Sequence, residues 1–183
     1  TFELTELLSF PPRYFCSNKK LLMRILDSYS KDNPKYSEEI LPPINFSRWS
    51  AANPPESSLS SHRIPEITVT KGPFLYSRDE KDFFSWHCNF ADRRLFGSYS
   101  GPLLAQDEHQ VAEHPSLASI REALMHGGLA EHAETGDVRG SPTPCLLTNV
   151  PRRIVLDTTT GLYGNAFAGA PEEKIRASVK VID

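Results

Sequence analysis

The stretch GPLLAQDEHQVAEHPSLASIREALMHGG, residues 101–128, predicts two successive helices. Pro102 fits the first turn of one helix, because the backbone N–H that proline lacks would have no partner there anyway. Pro115 begins a second helix, which continues through Leu124 and ends at the glycine pair 127–128. The sequence on either side of this helical pair then indicates the fold class.

Short apolar runs on both sides of the helical pair predict β-strands. Residues 66–70 alternate like a strand, and residues 83–90 are rich in aromatic side chains. After the helices, residues 145–156 predict two short strands or one strand broken at Pro151, and a further helix begins at Pro171. Strands that alternate with helices favour an α/β fold with a mainly parallel or mixed sheet covered on both faces.

The region before residue 66 has a different composition. Apolar residues recur at helical spacing near the N-terminus, with Ser17 or Asn18 as the expected N-cap of a helix. Prolines then punctuate a Ser/Asn-rich stretch that predicts an irregular connection. We therefore expect a helical, proline-rich accessory segment over residues 1–60 and a core domain over residues 61–183.

Composition and charge exclude several classes of protein. The chain has 183 residues, of which 39% are hydrophobic and 23% charged, so it can bury a sizeable core. Its net charge of -3 offers no basic surface for nucleic acid, and any bound phosphate is expected to lie against backbone N–H groups. The arginine pairs Arg93-Arg94 and Arg152-Arg153 predict solvated charge. No apolar run is long enough to span a membrane, and we expect no membrane partner.

The cysteines indicate a reducing compartment. Cys16, Cys88 and Cys145 are odd in number, widely spaced and form no CxxC pair. Neither of the last two carries the motif of a catalytic nucleophile. Since the N-terminus also lacks the pattern of a secretory signal, we expect a cytoplasmic or nuclear protein.

Three segments carry polar residues suited to chemistry. The first, Asn89-Phe90-Ala91-Asp92, follows a predicted buried strand, and ligands bind where the strands of open α/β sheets end. A purely structural interpretation is that Asp92 caps a turn before Arg93. This segment alone does not decide between the two interpretations.

The second segment, Gln106-Asp107-Glu108, places two carboxylates side by side. Burying such a pair is costly and indicates a function, whereas on a solvated helix face the pair costs nothing. If both acids share a site, their repulsion raises one of the two pKa values, which would help Glu108 stay protonated near neutral pH.

The third segment, residues 160–169, is a loop of glycines and small residues. Glycines such as Gly161 and Gly164 let backbone N–H groups approach an anion closely. The aromatic ring of Tyr163 or Phe167 could then lie against a ribose or a base. On its own, such a loop is more often a simple turn.

Taken together, the order and spacing of these segments resemble the poly(ADP-ribose) glycohydrolase branch of the macrodomain family. That branch has an Asp-Phe-Ala-Asn strand end, a glycine-rich loop, a Gln-Glu-Glu signature and a Thr-Gly-Asn-Trp-Gly-Cys-Gly-Ala-Phe-Gly-Gly phosphate loop. Here the spacing from Asp92 to Gln106 matches without a gap, and the loop at 160–169 matches with one residue deleted. Gly97 and Gly101 fall on two of the loop glycines. The resemblance covers about half of the chain.

The resemblance implies a macrodomain-like three-layer α/β/α core with a mixed sheet. It also implies an ADP-ribosyl glycohydrolase, which cuts the bond between the anomeric carbon of the distal ribose and a modified protein side chain or polymer. Glu108 would be the acid/base, Asp107 would hold the ribose hydroxyls, and Asp92 would orient the ribose or stabilise the developing positive charge. The ADP-ribose-binding residues implied are Asn89, Phe90, Ala91, Gly97, Gly101, Gln106, Gly161, Tyr163, Gly164, Asn165, Ala166 and Phe167. No cofactor and no metal ion is implied, and the partner is ADP-ribose or an ADP-ribosylated protein.

Three positions depart from the pattern of the family. Phe96-Gly97-Ser98 replaces a triple glycine, Asp92 replaces the strand-end Asn, and Asp107 replaces the first Glu of the signature. The tighter shape and the added carboxylate favour a hydrolase of mono-ADP-ribose over one that degrades the polymer. Such an enzyme is similar to bacterial effector macrodomains that remove ADP-ribose from an arginine of ubiquitin. In that case the protein would be secreted into a host cytosol.

Two other interpretations of these residues stay open. A reader module would bind ADP-ribose without cutting it. A metal site could use His87, Glu108, His109 and His114, although their spacing matches no established motif.

Overall fold

The computed structural model describes residues 1–34, 41–50, 69, 86–89 and 92–182, and the fold below is that of these residues. They form a mixed α/β fold of short helices and short strands. The helices are α1 (Leu4–Leu7), α2 (Ser17–Asp32), α3 (Gln106–Glu113), α4 (Ser116–His126) and α5 (Glu172–Ser178). The strands are β1 (Asn45–Arg48), β2 (Cys145–Thr148), β3 (Ile154–Leu156) and β4 (Val179–Val181). None of these helices combines the length and the apolar character needed to cross a membrane.

Two of the predicted strands fall largely outside the described residues. Of the prediction at 66–70 only Val69 is described, and of the prediction at 83–90 only residues 86–89 are described. Residues 86–89 belong to no strand. The strand expected to carry Asn89 at its end is therefore not found in the described part of the chain.

The helical pair at the centre of the sequence forms largely as expected. The helix predicted after Pro115 is confirmed as α4, and its C-cap is Gly127. The helix predicted to open at Pro102 begins at Gln106 instead. The reason is that Leu104 lies in an extended bridge to another part of the chain, so the helix can start only after it.

The strands pair in two separate antiparallel sheets of two strands each. Phe46 of β1 lies opposite Leu147 of β2, and Val155 of β3 lies opposite Lys180 of β4. The described strands therefore do not form the mainly parallel or mixed sheet that was expected. Alternation along the chain predicts parallel neighbours only where each helix connects two adjacent strands. The partner of β2 is instead β1, which lies in the proline-rich region where no strand was predicted.

Buried apolar side chains form two clusters. The second, which we call the α2 cluster, consists of Cys16, Leu21, Leu22, Leu104, Ala112, Ile154, Leu156, Leu162, Phe167 and Ile175. Helix α2, from the predicted accessory segment, thus packs in one core with residues beyond the predicted domain boundary. The N-cap of α2 is Cys16, so Ser17 and Asn18 lie inside the helix and do not cap it as expected.

A buried ionic network ties α3 to the chain around β3. The carboxylate of Glu113 accepts hydrogen bonds from Nε of Arg152 at 2.9 Å and from the backbone N–H of Leu156 at 2.7 Å. Burial alone would raise the pKa of Glu113, but hydrogen bonds from His109 and Arg152 outweigh it and lower that pKa. Arg152, predicted as solvated charge, is therefore a structural ion-pair partner.

Candidate functional site

A cavity of about 930 Å³ opens where the three polar segments come together. This volume suits a small molecule, for which cavities of roughly 300 to 1,000 Å³ are usual. The residues that line it are Asp92, Ser98, Leu103, Ala105, Gln106, Asp107, Glu108, Thr158, Thr159 and Tyr163. Residues from all three segments singled out in the sequence therefore line one cavity.

An isolated antiparallel bridge between Leu104 and Gly164 joins two walls of the cavity. The N–H of Gly164 donates to the carbonyl of Leu104 at 2.8 Å, and the N–H of Leu104 donates to the carbonyl of Gly164 at 3.2 Å. Because Leu104 precedes the helix of the acids and Gly164 follows Tyr163, the bridge fixes these two parts of the cavity against each other. The N–H of Gly164 is paired here and cannot also hold a phosphate.

The backbone at Gly164 is one that other residues rarely adopt. Its φ is 76° and its ψ is -140°, which a residue with a Cβ reaches only under strain. A Cβ at this position would meet no atom within 4 Å, so the space beside the α-carbon is open. A ligand can therefore approach the backbone of Gly164 closely.

The two neighbouring acids are buried at the start of α3. Asp107 is 7% exposed and Glu108 is 4% exposed, so the interpretation of a solvated helix face is wrong. Oε2 of Glu108 accepts a hydrogen bond from the backbone N–H of Ala105 at 3.0 Å, which caps the helix. Acidic side chains in a first turn are also stabilised by the positive end of the helix dipole.

Asp107 is the acid whose pKa is raised. Burial is the main cause, and it lifts the pKa from an ordinary 3.8 to about 6. The hydrogen bond from Nδ2 of Asn89 to Oδ1 of Asp107, 2.8 Å long, acts in the opposite direction. The negative charges of Glu108 and Asp92 raise the pKa further, and the positive charge of Lys19 lowers it. Crowding by neighbouring negative charges therefore contributes to the raised pKa of Asp107.

Asp92 contributes a carboxylate of a different kind. Its side chain is exposed, and Oδ1 accepts the backbone N–H of Arg94 at 2.9 Å. This backbone hydrogen bond, together with the positive charges of Arg94 and Arg121, lowers the pKa of Asp92. The cavity thus has an ionised carboxylate at its exposed side and two buried acids within.

The two aromatic candidates occupy different environments. Tyr163 is 46% exposed and lines the cavity, whereas Phe167 is 0% exposed and belongs to the α2 cluster. The ring of Phe167 therefore cannot contact a ligand, and the expectation that it binds ADP-ribose is wrong for its side chain. Tyr163 is the aromatic residue that remains available to a ligand.

The other predicted ligand residues either do not line this cavity or lie outside the described residues. Phe90 and Ala91 lie outside them. The described lining does not include Asn89, Gly97, Gly101, Gly161, Gly164, Asn165 or Ala166. Asn89 acts on the site through its hydrogen bond to Asp107. Gly97 lies in a tight turn, where a Cβ would approach Cβ of Arg94 to 2.8 Å.

The residues at the site that the sequence did not single out include two groups that carry a recognisable signal. Thr158 and Thr159 line the cavity directly after β3, and the same strand-end rule that singled out Asn89 would have found them. Lys19 is 1% exposed, and its charge acts on the acids of α3. Helical spacing could have indicated that Lys19 is buried, because it lies three residues before Leu22 on the apolar face of α2.

The described residues show no arrangement that would support the alternative of a metal site. In the parts of the chain that the structure describes, no group of three or more histidine, cysteine or acidic side chains could hold a metal ion. Nε2 of His109 lies 3.3 Å from the carboxylate of Glu113, within the ionic network. Glu108, another of the four ligands considered, lines the first cavity instead.

A second cavity, of about 990 Å³, lies elsewhere on the described chain. Its lining includes His87, Cys88, His114 and Cys145, but no Asp, Glu, Lys or Arg among the described residues. The acids therefore converge on the first cavity and not on this one.

Comparisons of the chain with protein-family models, with curated proteins and with solved structures each give no match. The chemistry of the first cavity therefore has to be inferred from its own geometry and charges.

The raised pKa of Asp107 predicts how stability changes with pH. Since ionisation is harder in the folded chain, the free energy of unfolding decreases as the pH rises from 3.8 through about 6, by at most about 3 kcal/mol. Asp107→Asn keeps an acceptor for Asn89 but cannot ionise. We expect this variant to gain stability relative to the wild type between pH 4 and pH 7, as measured by urea unfolding.

Asp157→Asn is the control for this measurement. Asp157 is exposed, and hydrogen bonds from Thr159 lower its pKa. Asp157→Asn should therefore gain no stability relative to the wild type as the pH rises. An Asp107→Asn variant that gains nothing between the two pH values would contradict the burial of an ionisable Asp107.

Proposed function

We propose that the chain is an ADP-ribosyl glycohydrolase, which binds ADP-ribose in the first cavity and releases it from a modified protein. The observation that carries this proposal is that Asp107, Glu108 and Tyr163 line one cavity. The family resemblance assigns the two acids to the distal ribose and the loop of Tyr163 to the pyrophosphate. Residues separated by more than 50 positions in the sequence thus line the same cavity, which supports the proposal.

The finer fold that we propose with this function is a macrodomain-like three-layer core. Its support is the order and spacing of the three polar segments and their convergence on one cavity. The predicted strands at 66–70 and 83–90, which such a core would include, lie largely outside the described residues.

The proposed reaction transfers the glycosyl group of ADP-ribose to water. Cleavage at the anomeric carbon develops positive charge on the ribose, and the leaving group needs a proton. Asp107, with a pKa of about 6, is partly protonated near neutral pH and can donate that proton. Glu108 then supplies the carboxylate that orients the ribose or the attacking water. This assignment exchanges the two roles that the family resemblance implied.

The pyrophosphate is proposed to lie along the loop after Tyr163. The open space beside the α-carbon of Gly164 lets a phosphate reach this loop. Asn165 and Ala166 begin a 3₁₀-helix that ends at Phe167, and the first N–H groups of a helix have no partner within it. Those groups, together with open backbone at Gly164, suit an anion.

The acceptor that we propose is an arginine of a protein, as in the effector macrodomains that act on ubiquitin. The support is Asp92, an ionised carboxylate on the exposed side of the cavity. A negative charge at this place attracts a guanidinium group.

The direct test of this function offers the protein ADP-ribose linked to arginine, to a carboxylate ester and to the polymer. We expect release of ADP-ribose from the arginine linkage. Asp107→Asn and Glu108→Gln should each slow release by about 100-fold or more, the size expected for loss of a general acid or base. Binding of free ADP-ribose, measured by calorimetry, should stay within about tenfold, or 1.4 kcal/mol.

Glu173→Gln, at an exposed carboxylate of α5, is the control and should release ADP-ribose at the wild-type rate. Binding without release from every linkage would make the protein a reader module. A protein that neither binds ADP-ribose nor releases it from any linkage would overturn the proposal altogether.

Gly164→Ala tests the proposed phosphate loop. The added methyl group occupies the open space where the pyrophosphate is proposed to lie, so binding of ADP-ribose should weaken at least about tenfold. Gly140→Ala is the matched control, because Gly140 also has a positive φ, of 83°, and open space beside it. Equal affinities of the two variants for ADP-ribose would show that the phosphate loop is assigned wrongly.

A further inference from the structure

We propose that Asn18 and Lys19, adjacent residues in the first turn of α2, are positioning residues of the cavity. Asn18 holds the loop after Tyr163, while Lys19 holds the turn next to Ser98 and provides a fixed positive charge for the two buried acids. The proposal rests on the proposed function, since it concerns the same cavity. It gives α2, expected to be accessory, a part in the site.

Asn18 ties α2 to the proposed phosphate loop. Its buried side-chain amide donates from Nδ2 to the carbonyls of Phe167 at 2.7 Å and Ala170 at 2.9 Å, with Ala168 at 3.4 Å. The opposite end of this loop is held by the bridge at Gly164. The loop is therefore fixed at both ends, and a side chain of α2 provides one of the two attachments.

The start of α2 also holds the turn on another wall of the cavity. Nζ of Lys19 donates to the carbonyl of Tyr99 at 2.8 Å. The backbone N–H groups of Phe15 and Cys16 both donate to the carbonyl of Ser100, at 3.0 Å and 3.1 Å. Since Ser98, which lines the cavity, belongs to the same turn, one short stretch of chain positions both walls.

The charge of Lys19 is the second part of its role. Lys19 as a whole is 1% exposed, and a charged side chain is costly to bury unless negative charges face it. Burial lowers the pKa of Lys19 to about 8, and the ionisable groups that act against this are Glu108, Cys16 and Asp107. With that pKa, Lys19 stays mostly charged at pH 7. At pH 7 it therefore acts as a cation on the two acids.

Substitution by glutamine separates the charge of Lys19 from its hydrogen bond. Glutamine keeps an N–H donor, on a side chain one bond shorter than that of lysine, so a purely structural Lys19 would leave the pKa of Asp107 unchanged in Lys19→Gln. Loss of the cation must instead raise the pKa of Asp107, because Lys19 is the group whose charge lowers it. The other groups facing Asp107 are Glu108, Asp92 and Asn89, and this substitution leaves all three in place.

The first experiment titrates Asp107 by carbon NMR of its carboxyl group in wild type, Lys19→Gln and Lys20→Gln. Lys20 is the matched control, since it carries the same charge one residue along but is exposed. We expect Lys19→Gln to raise the pKa of Asp107 by about 0.5 unit or more and Lys20→Gln to leave it unchanged. The alkaline limb of the pH–rate profile of ADP-ribose release should move upward with it.

The second experiment compares Asn18→Leu with Asn33→Leu, which replaces the C-cap of the same helix. Hydrogen exchange of the amides at 165–170 should speed up about tenfold or more in Asn18→Leu alone. For ADP-ribose release, KM should rise about fivefold while kcat stays within about twofold, because the loop binds the ligand and does not react.

Unchanged titration of Asp107 in Lys19→Gln, or unchanged exchange at 165–170 in Asn18→Leu, would overturn the corresponding role. If Lys19→Gln does not fold, Lys19→Met is titrated instead and must shift Asp107 in the same direction. Neither the titration nor the exchange measurement requires ADP-ribose. If the wild type releases no ADP-ribose while Lys19→Gln and Asn18→Leu both show their expected changes, the proposed function is refuted and the positioning roles are supported.

Discussion

The backbone bridge between Leu104 and Gly164 is the contact on which the candidate site depends. It joins the chain just before α3 to the loop just after Tyr163, and so it brings the buried acids and Tyr163 to the same cavity. It also explains why the helix starts at Gln106, since the residues before it are held extended. A single pair of reciprocal hydrogen bonds thus sets both the boundary of a helix and the shape of the site.

Burying two neighbouring acids costs stability, and the structure offsets this cost in different ways for each of them. Glu108 caps its own helix through the N–H of Ala105. Asp107 receives the amide of Asn89, but burial still dominates and its pKa remains raised. Lys19 adds a buried positive charge from α2. An arrangement that stability alone would not favour is typical of functional sites, where pKa values are shifted toward the pH of catalysis.

The features that could be predicted from the sequence are those set by local signals. Pro115 and Gly127 mark α4, and residues of each of the three polar segments, which composition and spacing singled out, line the first cavity. Strand pairing depends on contacts between residues far apart in the chain, which no local pattern encodes. In the loop at 160–169, the sequence alone did not decide whether the ring of Tyr163 or that of Phe167 would contact a ligand. Only the packing against α2 decides that Phe167 faces the core.

The central claim is that ADP-ribose lies across the first cavity, with its distal ribose at Asp107 and its pyrophosphate beside Gly164. A crystal structure of the protein grown with ADP-ribose measures this directly. The account predicts density that runs continuously from the carboxylates at the start of α3 to the backbone at 164–166, with Tyr163 alongside. Density for ADP-ribose in the second cavity, or none near Asp107 at saturating ligand, would contradict it.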